Sequence, residues 1–142
     1  MGKTALITGA TSGIGKACAT ILAQNKYDLI ITGRRNERLE ELKLRLEKEY
    51  QTQITTLCFD VRNREETIAS LNGLNADQKK INLLINNAGL AVGVHPIDQG
   101  DFEDWDRMID TNVTGLLNVS KTVIPWLKES ENAHIINIGS IA

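Results

Sequence analysis

The sequence predicts an α/β fold in which a doubly wound parallel sheet lies between two layers of helices. Short apolar runs alternate with longer segments of helical periodicity from one end of the chain to the other, the pattern of a parallel sheet. Those runs are near-continuous in Ile and Leu, which implies burial on both faces. The composition is that of an ordinary globular domain, with 142 residues, 42% hydrophobic, 24% charged and 11 glycines. A chain of this size builds a core without staples.

Thr4–Thr8 is the first strand, ended by glycine, and a helical pattern follows from about Gly13 to Gln24. Leu29–Thr32 is the second strand. Asn36–Tyr50 is a helix that places Leu39, Leu42 and Leu46 on one face, with its charge run on a solvated face. Ile54–Phe59 is the third strand, and Asn63 with Glu66 reads as a capping box that opens a helix to about Leu71. Ile81–Asn86 is the fourth strand. One long helix is expected from Phe102 to Lys128, capped by Asp101 and open to a kink near Pro125. His134–Ile138 is the fifth strand. So apolar a strand ordinarily has a neighbour, and the chain is expected to be part of a longer one.

Sixteen basic and 18 acidic residues leave a net charge of −2. That balance excludes a basic nucleic-acid surface and makes any phosphate binding local. No apolar run approaches a membrane span and no signal segment precedes the first strand, so a cytoplasmic protein is expected. Cys18 and Cys58 fall in apolar patterns far apart and read as core thiols, with no metal expected.

The chemistry begins at Thr8-Gly9-Ala10-Thr11-Ser12-Gly13-Ile14-Gly15, between the first strand and the first helix. Gly9 permits a tight turn, Gly13 lets backbone approach a pyrophosphate, and Gly15 allows close packing of helix on strand. The helix N-terminus offers free N–H groups and the positive end of its dipole. Together they read as a Rossmann-like dinucleotide site. A phosphate-loop NTPase fails by spacing. Five residues, not four, separate Gly9 from Gly15-Lys16, and Ala17 stands where a hydroxyl should hold magnesium. After the second strand, about 20 residues past the turn, an NAD site usually places an acidic residue. Here Arg34 and Arg35 follow Gly33 instead. Guanidinium groups suit a 2′-phosphate, so NADP is expected over NAD.

The spacing Thr-Gly-x-x-x-Gly-x-Gly resembles the short-chain dehydrogenase/reductase family, and further segments extend the resemblance along the whole chain. Asp60-Val61 falls at that family's adenine pocket. Asn86-Asn87-Ala88-Gly89 matches its Asn-Asn-Ala-Gly signature, in which the asparagines brace the sheet and the Asn87–Gly89 backbone flanks the cofactor. Asn112, within Thr111-Asn112-Val113-Thr114-Gly115, matches an asparagine that supports a water relay. Asparagine and glycine are poor helix-interior residues, so a local kink is expected here. Ile135-Ile136-Asn137-Ile138-Gly139-Ser140 matches the strand that delivers the catalytic serine.

The resemblance implies an NADP-dependent oxidoreductase moving a hydride between nicotinamide and a carbonyl or secondary-alcohol carbon of a small molecule. Asn86-Asn87-Ala88-Gly89-Leu90-Ala91, then Glu103-Asp104-Trp105 and Met108-Ile109-Asp110-Thr111-Asn112, look like the NADP-dependent serine and 3-hydroxy acid dehydrogenases of that family, with another carbonyl reductase as the alternative. Catalytic roles fall to Ser140 and Asn112. Cofactor contacts fall to Gly9, Thr11, Ser12, Gly13, Ile14, Gly15, Arg34, Arg35, Asp60, Val61, Asn87, Ala88 and Gly89. A homodimer or homotetramer is implied. By their own placement Trp105 and Trp126 read as helix-packing or subunit-interface residues rather than substrate contacts, and His95 as a solvent-exposed loop histidine, with the lining of a substrate cleft as its alternative.

The family's Tyr-x-x-x-Lys pair is not among these residues, since neither Tyr27 nor Tyr50 has a lysine four positions later. Residues 1–142 are therefore expected to form the NADP-binding portion of a single-domain enzyme, inactive by itself. The rival reading is a truncated NADP-binding module or pseudoenzyme, against which Ser140 and Asn112 weigh. A Rossmann-type methyltransferase is weaker still, because its cofactor lacks the phosphate that an arginine pair suits.

Overall fold

Side chains on successive strand residues point to opposite faces, and the two faces of this sheet bury different sets. Ala5, Ile7, Leu29, Ile31, Ile54 and Ile85 share one core with Ala19, Ala23, Leu39, Leu42 and Leu46. Leu6, Ile30 and Leu84 face the other way, against Leu71, Val119, Val123 and Leu127. The computed structural model describes residues 2–141, so Met1 and Ala142 of the predicted 1–142 unit lie outside the described residues.

The strands are β1 (Thr4–Ile7), β2 (Asp28–Gly33), β3 (Ile54–Cys58), β4 (Leu83–Asn86) and β5 (His134–Asn137). All pairings are parallel, in the order β3-β2-β1-β4-β5. Helices α1 (Gly13–Gln24) and α2 (Asn36–Tyr50) cover one face. Helices α3 (Arg64–Asn72) and α5 (Leu116–Leu127) cover the other, and α4 (Phe102–Ile109) leads into α5. This is the Rossmann-like α/β/α arrangement that the alternation predicts. No helix among the described residues is long and apolar enough to cross a membrane.

Three expectations need correction. The long helix is not continuous α-helix: Asp110–Gly115 between α4 and α5 is a π-helical segment, while α5 runs on through Pro125. The departure from α geometry therefore sits at Asn112 and Gly115, where the residue types foretell it. Gly115 lies so close to Val61 that an added Cβ would stand 2.6 Å from the valine Cγ2. Tight packing against Val61, in the segment that follows β3, not proline, accounts for the glycine there.

Burial on both faces also fails at the sheet margins. All four residues of β5 are exposed, Ile136 to 44%; among the described residues β5 is an outermost strand of the sheet, beside β4. Cys58 is exposed rather than a core thiol, and Cys18 is half-buried against the α1–α2 core. Cys58 ends an outer strand, where an apolar pattern no longer implies two covered faces. Its Sγ lies 3.6 Å from the Arg34 carbonyl.

Candidate nucleotide-binding site

Strand order reverses between β1 and β4. The connections leaving those strands therefore diverge and open a crevice at their carboxyl ends. Side chains stitch this switch point together. The Thr8 hydroxyl accepts from the backbone N–H groups of Asn87 and Ala88, each at 3.0 Å. Asn87 Nδ2 donates to the Gly9 carbonyl at 2.9 Å, and the Thr8 N–H donates to the Ile85 carbonyl at 3.1 Å. The turn is tied to β2 as well, through the Ala10 N–H to the Thr32 carbonyl at 3.0 Å. The Asn-Asn-Ala-Gly segment and the glycine turn thus form one rigid unit.

The turn's residues are arranged for an anion. Gly9 has φ +63°, and a Cβ there would stand 2.9 Å from the Ala88 Cα. Ser12 is the N-cap of α1 but makes no side-chain capping bond, which leaves the first-turn N–H groups available to a ligand. Gly13, at φ +56°, has no neighbour within 4 Å of where a Cβ would be. Ile14 beside it is 58% exposed, an apolar surface next to the turn. Arg35 Nη2 donates to the Thr11 hydroxyl at 3.2 Å, bringing one of the two exposed arginines back over the turn. An open glycine, an uncapped helix start and a guanidinium on Thr11 fit a dinucleotide bearing an additional phosphate.

Asp60 and Val61 follow β3 on the same edge of the sheet. Arg62 grips Asp60 with its fork: Nε lies 3.1 and 3.0 Å from the two carboxylate oxygens and Nη2 lies 2.7 Å from Oδ2. The Arg62 N–H donates to Oδ1 at 3.0 Å. The bonds from the Arg62 side chain hold the Asp60 carboxyl below its ordinary value. Partial burial opposes that shift, while the Arg62 backbone N–H and the charges of Arg62 and Arg34 add to it. Asn118, buried on α5, donates to the Val61 carbonyl at 2.9 Å and accepts from Arg64 Nε at 3.0 Å. The Asp60–Val61 segment is thereby fixed from two sides. The Asn63 cap forms only half of the expected box: its Oδ1 accepts from the Glu66 N–H at 3.1 Å, while its own N–H donates to the Asp60 carbonyl.

Asn112 lies in the π-helical segment with both side-chain ends engaged. Its Oδ1 accepts from the Leu90 N–H at 2.7 Å and its Nδ2 donates to the Leu90 carbonyl at 2.8 Å. The side chain thus anchors the connection that follows Gly89. Asn112→Ala is expected to cost about 1 kcal/mol, since these bonds are exposed. Exchange of the Leu90 amide should quicken well beyond that of the β1 amides. Uniform protection in a hydrogen-exchange measurement would refute the anchor. Ser140 is exposed beyond β5, on the carboxyl edge of the sheet that also carries the turn. The β4–β5 ladder continues as far as Ile138, whose N–H donates to the Asn86 carbonyl at 3.0 Å.

No role for the Thr8 side chain, for Arg62 or for Asn118 was legible in the sequence. A threonine closing an apolar strand was the available signal for the first. Nothing local marks the other two. Tyr27 leads into β2 at the opposite edge of the sheet, and the Tyr50 hydroxyl is bonded to Gln24 and Glu49. Neither reaches the crevice. His95 is exposed beside an open depression of about 490 Å³ that Gln99 and Asp104 also line. Trp105 packs edge-on against Phe102, and Trp126 lies against the α3–α5 core.

The fold and this crevice define a Rossmann-type nucleotide-binding unit. Residues 3–142 match the family model of the short chain dehydrogenases, and the chain belongs to that family. It is 43% identical over 137 residues to the NADP-dependent 3-hydroxy acid dehydrogenase YdfG of Salmonella typhi, covering 96% of this chain and 54% of that protein. The crystal structure of serine dehydrogenase from Escherichia coli matches with a TM-score of 0.87 and 42% identity, over 96% of this chain and 62% of the other. A closed form of serine dehydrogenase complexed with NADP+ matches with a TM-score of 0.87 and 41% identity, over 97% and 54%. The chain spans about half the length of the curated relatives it matches.

Proposed function

We propose that residues 1–142 form the cofactor-binding portion of a single-domain, NADP-dependent oxidoreductase. Its substrate would be a small carbonyl compound or secondary alcohol, of the 3-hydroxy acid or serine type. The observation that carries this reading is the Arg35–Thr11 contact at 3.2 Å, which sets a guanidinium against the phosphate turn where NAD sites place a repelling acid. Names of the relatives above support both the cofactor and the substrate class.

In this reading Gly9–Gly15 and the start of α1 hold the pyrophosphate, Arg34 and Arg35 the 2′-phosphate, and Asp60 and Val61 the adenine. The backbone of Asn87, Ala88 and Gly89 flanks the nicotinamide half. The bound nicotinamide supplies the hydride donor or acceptor. Ser140 donates a hydrogen bond to the substrate oxygen, where charge develops. Asn112 holds the loop around Leu90 and, with it, the water that serves proton transfer. Association into a dimer or tetramer belongs to the same reading.

Calorimetric titration with NADPH, NADH and S-adenosylmethionine tests it. NADPH should bind at least tenfold more tightly than NADH, the difference made by one well-held phosphate, and S-adenosylmethionine should not compete. Equal affinity for the two nicotinamides would refute the NADP assignment.

A further inference from the structure

We propose that Arg62 is a specificity-determining residue: by neutralising Asp60, it keeps the ribose end of the site receptive to a 2′-phosphate. The inference rests on the NADP reading above. Register places the two groups side by side. Gly33 pairs with Cys58, the Phe59 N–H donates to the Gly33 carbonyl at 3.0 Å, and Cys58 Sγ touches the Arg34 carbonyl. Asp60 therefore emerges next to Arg34, and the Arg34 charge is felt at its carboxylate.

A carboxylate here is a liability for a site that must accept a phosphate, because like charges repel through a partly exposed surface. Arg62 answers it with the short hydrogen bonds of its fork and one from its backbone N–H. The planar guanidinium covers both carboxylate oxygens, as a lysine could not. The pair is half-buried, with side chains 32% and 26% exposed, so salt screens it less than a surface pair. The same loop holds its shape by other bonds. The Asn63 N–H and the Thr67 hydroxyl both donate to the Asp60 carbonyl, and Asn118 holds Val61. Arg62 is thus separable from the backbone it sits on. It acts on the phosphate through Asp60, as a positioning and charge-compensating residue.

The test uses 2′,5′-ADP and 5′-AMP, which differ only in the 2′-phosphate, titrated calorimetrically into the full protein. Wild type should prefer 2′,5′-ADP. In Arg62→Gln that preference should fall about fivefold, the effect of one unscreened unit charge on a nearby phosphate at a partly exposed site. Asp60→Asn combined with Arg62→Gln removes both charges and should restore the preference to within about twofold of wild type. Any weaker hold on the adenine that follows from changing Asp60 affects both probes alike and cancels in the ratio.

No preference in wild type would overturn the NADP reading and this inference with it. A wild-type preference left unchanged by Arg62→Gln would overturn the inference alone. So would a lost preference that the double variant fails to restore, since Arg62 would then be shaping the loop or touching the phosphate itself. Should Arg62→Gln not fold, Asp60→Asn alone decides. An increased preference supports the proposal, and an unchanged or reduced one refutes it.

Discussion

Replacing Arg34 and Arg35 together by alanine is expected to weaken NADPH binding roughly 30-fold, taking about 1 kcal/mol for each exposed charge-assisted contact to phosphate. NADH, which has no 2′-phosphate, should change by less than about twofold. Both arginines are exposed, and Arg35, although the N-cap of α2, makes no side-chain capping bond. The fold should therefore lose no more than about 0.5 kcal/mol, the usual scale for surface changes. Fluorescence titration of both cofactors, with a melting curve for each variant, checks the two halves of the claim. The single variants refine it. Arg35 is already held at Thr11, so less ordering remains to be done when it meets a phosphate, and Arg35→Ala should carry the larger share. Equal weakening of NADPH and NADH would mean that the arginines support the turn rather than recognise the phosphate.

Features set by neighbours in sequence were readable, and those set by distant partners were not. The glycine turn is legible because each of its glycines answers a local demand of strand, turn and helix. The buried leucines of α2 follow from helical spacing alone, and Leu39, Leu42 and Leu46 are all in the core. Asn112 and Gly115 announced an irregular helix, yet not its π geometry. Leu90 and Val61 bind and crowd those two positions, and both come from elsewhere in the chain. Thr8 acts on Asn87 and Ala88 across 79 and 80 residues. A strand pattern shows that a hydroxyl ends β1, but not what that hydroxyl will meet. Cys58 shows the same limit from the other side. Its apolar surroundings describe a strand without telling whether the strand is central or outermost. Arg62 was invisible for a simpler reason, since its grip on Asp60 depends on how the chain turns between β3 and α3.

Gly15→Ala and Gly13→Ala should separate stability from binding. Glycine to alanine in a helix ordinarily stabilises by about 1 kcal/mol, so a loss at either position points to a specific cause. At Gly15 the new methyl would strike the Gly9 carbonyl oxygen and Asn87 Nδ2. Those are the two partners of the bond that joins the turn to the segment after β4. One is backbone and the other is held by that bond, so neither yields cheaply. We expect a net loss of about 3 kcal/mol and a melting temperature lower by roughly 10 °C for a domain of this size. At Gly13 a methyl meets nothing within 4 Å, and only the left-handed backbone at φ +56° resists it. That costs about 1 kcal/mol, yet the methyl projects into the open space over the turn, where backbone must approach a pyrophosphate closely. Gly13→Ala should therefore remain folded near the wild-type melting temperature while losing more than about tenfold in NADPH affinity. Scanning calorimetry paired with NADPH titration measures both. Wild-type NADPH affinity in Gly13→Ala would show that the cofactor does not cross the turn at this residue.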